Sequence, residues 1–396
     1  MSGKTHLMEK RLIFSLVIIL VYLIFHKIPL NGLDMSKYQS VSLDLSALLT
    51  SMVNGSASQK CYVMSLGISP YITSGLIVMV LMAFRSKEAK ARTSPMLQTR
   101  LIVAITFIVS LIQAIDTSSN LYYVEKNLMN QLVCVFELMA GASLVQYLVM
   151  VNKQYGIGNA MPIIFINMLE SLFTSFKGAS IENLQIPLIL SILAAMFMIF
   201  MELSEKHIPL QRVSVHNEYS EKDFLSIKYN PVGFMAILFS SIVFMLPRLI
   251  CQFIYIFVKD NSTLIWVLEN LNMQKTFGTV IYILTLFILT IVLSFLFVNP
   301  KEISENFLQN GDSIVDIPAG KPTIRYLSKY VLLFSFFSAC ISCGFLGVSL
   351  YMQLQGIVPA QLAMVPSTIM MSTGIFISFY TELRAYHDFD SYKRFI

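Results

Sequence analysis

Long apolar runs separated by short polar, mostly basic connections set the pattern of this chain. The runs fall near Leu12 to Ile28, Pro70 to Phe84, Leu101 to Ile115, Gln131 to Val151, from Asn159 onward, Ile186 to Met201, from Gly233 onward, Phe277 to Phe297, Tyr330 to Leu350 and Leu362 to Tyr380. About twenty apolar residues in a helix cross the ~30 Å hydrocarbon core of a bilayer, so the pattern predicts about ten spans. The second run differs from the rest. Ser69 is placed to cap a helix and Pro70 suits its first turn, but from Pro70 to Phe84 a helix reaches only about 22 Å. One end therefore lies inside the membrane. Irregular backbone at that depth needs protein or a water-filled cavity around it, so the segment from Asp44 to Gly67 is expected to fold into a vestibule.

Composition agrees with the pattern: 56% of the 396 residues are hydrophobic and 13% charged, with a mean hydropathy of +0.68. The chain reads as an all-α polytopic membrane protein, its first run a span rather than a cleaved signal peptide. The net charge of +5 matters through its placement. Basic residues collect before the first span (Lys4, Lys10, Arg11), after the second (Arg85 to Arg100), between the sixth and seventh (Lys206, Arg212, Lys222, Lys228), between the eighth and ninth (Lys301, Lys321, Arg325) and near the end (Arg384, Lys393, Arg394). By the positive-inside rule these loops and both termini face the cytosol, and the number of spans is even. Arg248 is expected close to the external end of the seventh span, reaching for the interface.

Candidate chemistry is sparse. Cys61, Cys134, Cys251, Cys340 and Cys343 sit in or near apolar runs; Cys340 and Cys343 form a C-x-x-C without the strand-to-helix setting of a redox site, and small packing residues are the expected reading. Gly156-Ile157-Gly158 and Gly320-Lys321 lack the further glycines of nucleotide loops, the five histidines show no metal spacing, and no Ser/His/Asp set stands out. No catalytic residue, metal or cofactor is assigned. Glu137 and Glu170 are the acidic exceptions within the apolar runs.

Seven short motifs, in order, change the picture: Ile28-Pro-Leu-Asn-Gly-Leu-Asp34, Ser65-Leu-Gly-Ile-Ser-Pro-Tyr-Ile-Thr-Ser-Gly75, Asn152-Lys-Gln-Tyr-Gly-Ile-Gly-Asn159, Lys206-His-Ile-Pro-Leu-Gln211, Ile227-Lys-Tyr-Asn-Pro-Val-Gly233, Val298-Asn-Pro-Lys-Glu-Ile303 and Ile317-Pro-Ala-Gly-Lys-Pro-Thr323. Together they resemble the SecY family of protein-conducting channels. The resemblance implies ten helices in two pseudo-symmetric inverted five-helix halves around a central pore, residues 1–178 holding spans one to five and 179–396 spans six to ten. It places a plug near 44–58 (Leu45, Leu48, Leu49, Met52, Val53). It places the pore ring at Ile68, Ile72, Phe165, Leu238 and Ser372 or its neighbour Met371. Cytosolic loops near 204–230 and 298–325 would dock a motor through Lys206, His207, Arg212, Lys301, Pro318 and Lys321. Pro318 stands where the family has an arginine.

The resemblance further implies a channel without enzymatic activity in the cell membrane, driven by a SecA-like motor ATPase. SecE-like and SecG-like small subunits, an unfolded preprotein and membrane lipid would be its partners, and no nucleic acid would be contacted directly. Erosion of the basic loops resembles the accessory Sec-system paralogue of Gram-positive bacteria, which exports serine-rich glycosylated adhesins. Housekeeping SecY is the near alternative. A secondary transporter for a small solute also has broken helices, but usually carries ionisable residues at the midplane, which these runs nearly lack.

Overall fold

The structure, a computed structural model, describes residues 7–34, 61–83, 85, 93–119, 121–125, 127–177, 181–211, 223–257 and 262–391. The apolar runs form helices α1 (Leu7–Phe25), α2 (Ser69–Ala83), α3 (Pro95–Ser119), α4 (Leu128–Tyr155), α5 (Met161–Phe176), α6 (Ile181–Leu203), α7 (Met235–Phe257), α9 (Thr276–Val298), α11 (Lys321–Leu354) and α13 (Val365–Ser391). Shorter helices α8 (Ser262–Asn270), α10 (Pro300–Asn310) and α12 (Ala360–Ala363) lie between them. Among the described residues six helices are long and apolar enough to cross a membrane, while the apolar helices Ser69–Ala83 and Met161–Phe176 are shorter.

Within the first five long helices α1 packs on α4 and α5, and α3 on α2 and α4; within the last five α6 packs on α11 and α13, and α9 on α7 and α11. Numbered by order within each group, the same four pairings occur twice. The groups meet on two sides. On one, α7 lies against α2 and α3; on the other, α13 lies against α1 and α5.

Hydrogen bonds reinforce the second side. Arg11 donates to the Tyr386 hydroxyl at 2.9 Å and to the Gly156 carbonyl at 3.2 Å, and the Gly158 amide donates to the Glu382 carboxylate at 3.0 Å. Asn152 holds the turn into α5 by donating to the carbonyls of Ile157 and Asn159 at 3.0 and 2.7 Å. The glycines of this turn therefore serve backbone geometry, as expected of a tight connection.

The connections that the sequence reads as plain loops carry structure of their own. Strands β1 (Glu205–Gln211), β2 (Phe224–Lys228) and β3 (Ser313–Ile314) make one sheet in the order β2-β1-β3. β1 alternates exposed Glu205, His207, Pro209 and Gln211 with buried Ile208 and Leu210, the period-two pattern of a half-buried strand. Antiparallel pairing of β1 with both neighbours, Lys206 opposite Ile227 and Leu210 opposite Ile314, ties the two connections into a single body. Its core holds Ile208, Leu210, Ile227, Phe307, Ile314, Leu327 and Phe334. At about 1.5 Å per residue the 34-residue α11 is roughly 51 Å long, so its first turns project beyond a bilayer to carry this body.

Two further expectations need correction. α7 continues to Phe257, nine residues past Arg248, which is therefore not close to the helix end. Pro247 stands inside that helix, where it removes a backbone donor. Among the cysteines Cys61 and Cys134 are buried as packing residues should be, but Cys340 is exposed; all five are free.

Candidate functional site

The site is built around the entry to α2. Before Ser69 the chain runs through turns from Cys61, stitched to the exit of α1 by hydrogen bonds from Leu30 to the Cys61 carbonyl (2.8 Å) and from Val63 to the Ile28 carbonyl (2.9 Å). Gly67 adopts a φ of 52°, which a side chain would resist. α4 covers this irregular backbone closely. A Cβ on Gly141 would stand 2.1 Å from the Val63 carbonyl oxygen. Met64, Leu66 and Ile68 are buried, so protein surrounds the polar groups of the irregular segment, as membrane depth demands. α2 itself has fifteen residues, about 22 Å. Its first residue, Ser69, accepts a hydrogen bond from Gln113 of α3 at 3.4 Å, and Ser74 and Thr106 share another at 2.6 Å.

Ile68, Ile72, Leu238 and Met371 are buried in one apolar cluster, with half-buried Phe165 packed against it. They come from the start of α2, from α5, from α7 and from α13, that is, from both groups of helices. Of the two candidates in α13, Met371 joins the cluster, while the half-buried Ser372 hydroxyl bonds to the Ile369 carbonyl of its own helix at 3.0 Å. A second cluster lies where the groups meet at α7: Val232, Ala236 and Leu293 pack with Met79 of α2. That contact brings α2, α7 and α9 together through apolar side chains.

The docking candidates divide. His207 is exposed and stacks on Phe224, ring centroids 3.9 Å apart and 8° from parallel. Lys301, Pro318 and Lys321 are exposed at the ends of α10 and α11. Half-buried Lys206 lies over Tyr330, its ammonium 4.4 Å from the centre of that ring. The plug candidates Leu45, Leu48, Leu49, Met52 and Val53, and Arg212, lie outside the described residues. Glu137 accepts hydrogen bonds from the amide and side chain of Asn31 at the exit of α1, and Glu170 lies 3.7 Å from His26. Both acidic exceptions are thus engaged with the α1 exit. The sheet was missed in the sequence, although the alternation in β1 signals it.

A bundle of apolar helices, six of them among the described residues long and apolar enough to cross a membrane, makes this a polytopic membrane protein, and its fold is that of protein-conducting channels. The solved structure titled "The structure of a protein conducting channel" superposes with a TM-score of 0.70 at 13% identity, covering 96% of this chain and 93% of that one. Sec61 from a canine ribosome-channel complex superposes with a TM-score of 0.65 at 14% identity, covering 96% and 93%. The SecY family model matches residues 62–383, and the chain belongs to that family. It is similar to the accessory Sec system protein translocase subunits SecY2 of Staphylococcus epidermidis, 27% identical over 98% of this chain and 97% of that protein, and of Leuconostoc gelidum subsp. gasicomitatum, 25% identical over 96% and 95%.

Proposed function

We propose that this chain is the channel subunit of an accessory Sec-type translocase, passing unfolded serine-rich adhesin precursors across the cytoplasmic membrane under the force of a SecA-like ATPase. The observation that carries the reading is that Ile68, Ile72, Leu238 and Met371 share one apolar cluster, with Phe165 packed against it, around the start of the fifteen-residue α2. A narrow apolar waist resists ions and water by dewetting, yet offers an extended polypeptide no strong site at which to stall. The twice-repeated pairings of helices support two five-helix halves, 1–178 and 179–396. Met79 against Val232, Ala236 and Leu293 is then the seam through which an apolar passenger segment reaches lipid. Each Leu, Ile, Phe or Val gains about 0.3 to 0.6 kcal/mol on insertion, so roughly twenty of them drive that exit.

The sheet, α10 and the start of α11 form the motor's platform, presenting His207, Lys301, Pro318 and Lys321 on the cytosolic side with both termini. SecE-like and SecG-like subunits complete the assembly. In vesicles holding the complete translocase, a protease-protected precursor accumulates only with the accessory motor and ATP. Pro318→Arg raises coupling to a housekeeping SecA several-fold, because it restores a cation at the exposed end of the platform. Unchanged coupling contradicts the accessory assignment, and ion-driven solute uptake by the chain alone favours a transporter.

A further inference from the structure

Helix α8 joins α7 to α9 at the end of the bundle opposite the sheet, since β2 precedes α7 and α10 follows α9. One side faces protein: Val267 packs against the central cluster, and Leu271 and Met273, just beyond the helix, are buried in it. The other side is open and apolar. Ile265 is 38% exposed and Trp266 54% exposed, and Trp266 meets Phe277 edge to face with ring centroids 5.3 Å apart. Phe277 in turn begins the exposed row Phe277, Val280, Leu284, Ile288 and Val292, spaced by three and four residues along α9. The open side of α8 therefore continues the lipid-facing surface of a spanning helix. Glu269 is the one charged residue of α8.

We propose that α8 is an interfacial anchor, with Ile265 and Trp266 set at the headgroup–acyl boundary of the leaflet at that end. Tryptophan suits this depth, its ring apolar and its N–H able to reach headgroups or water. Attraction comes from apolar area rather than charge, so the seating is independent of salt and of lipid charge. The consequence concerns the seam. α8 is bonded in sequence to both α7 and α9, so separating α7 from α2 must slide an anchored helix through the interface, and lipid packing there adds to the resistance against opening.

The inference rests on α9 crossing the bilayer, and the test separates the two. Trp266 is the only tryptophan in the chain, so its emission reads this site in the unmodified protein. In reconstituted vesicles, phosphatidylcholine brominated near the carbonyl end of its acyl chains should quench that emission about two-fold, more than lipid brominated near mid-chain, and acrylamide should quench weakly. Equal results are expected in phosphatidylglycerol-containing vesicles and in high salt. Strong acrylamide quenching, stronger mid-chain quenching or insensitivity to every bromolipid overturns the anchor. Trp266→Phe combined with Ile288→Trp moves the reporter to the middle of α9, where mid-chain bromine must quench most whether or not α8 is anchored. Failure of that control alone contradicts the span.

Discussion

Asparagine in place of Ile72 makes vesicles holding the protein leak ions about ten- to hundred-fold faster than the unaltered chain does. Ile72 is 8% exposed and shares its cluster with Ile68, Leu238 and Met371, none of which offers a hydrogen-bonding side chain. An amide buried there without a partner costs about 1 to 3 kcal/mol, and water entering the waist relieves that cost. Each ~1.4 kcal/mol shifts the balance of wet and dry states ten-fold, which sets the size of the leak. Leu81, on the same helix but 58% exposed toward lipid, is the control. Leu81→Asn should leave conductance at the unaltered level. Dye or potassium efflux from vesicles of matched protein content makes the comparison, and equal leakage from the two variants contradicts a sealed waist at Ile72.

Gly141→Ala lowers the amount of folded protein sharply. The new Cβ would meet backbone, the carbonyl oxygen of Val63 at 2.1 Å, rather than a side chain able to swing away. Overpacking of this kind costs about 1 to 3 kcal/mol and more where backbone must move. What moves is the turn segment that delivers Ile68 and the first turn of α2, so the damage extends from stability to the seal. Gly344→Ala adds the same group with nothing within 4 Å and should be silent. Thermal unfolding followed by gel filtration in detergent distinguishes the two, and equal midpoints would remove the close approach of α4 from the account.

The legible parts of this molecule share a physical reason. Desolvation in a bilayer is a strong, one-dimensional constraint, so the run Phe277 to Phe297 locates α9 to within one residue at each end, and Leu101 to Ile115 falls inside the longer α3. The shortness of the run after Pro70 agrees with the turns at 61–67 before α2, which starts one residue earlier, at Ser69; the rest of the segment expected as a vestibule, 44–60, lies outside the described residues. Membership of the central cluster was not legible from hydrophobicity. Met371 and Ser372 are adjacent, and only their rotation about α13 decides which one joins the cluster.

The three-stranded sheet was missed because its strands are short and pair over about a hundred residues, Leu210 with Ile314. Local signals were nonetheless present: the alternation of β1, and in α10 Pro300 at the start, Ile303 and Phe307 four apart, and Gly311 with a φ of 74° closing the helix. In β1 the half-buried Lys206 side chain falls on the Tyr330 side of the sheet, its ammonium 4.4 Å from the centre of that ring.

Cross-linking a stalled precursor from single cysteines at Ile68 and Ile72 most directly asks whether a polypeptide threads the centre of this bundle. With Cys61, Cys134, Cys251, Cys340 and Cys343 first replaced by serine, membranes holding the accessory motor should give adducts from both positions and none from Leu81→Cys. Adducts confined to the lipid-facing position, with Ile68→Cys and Ile72→Cys silent while export proceeds, would contradict it.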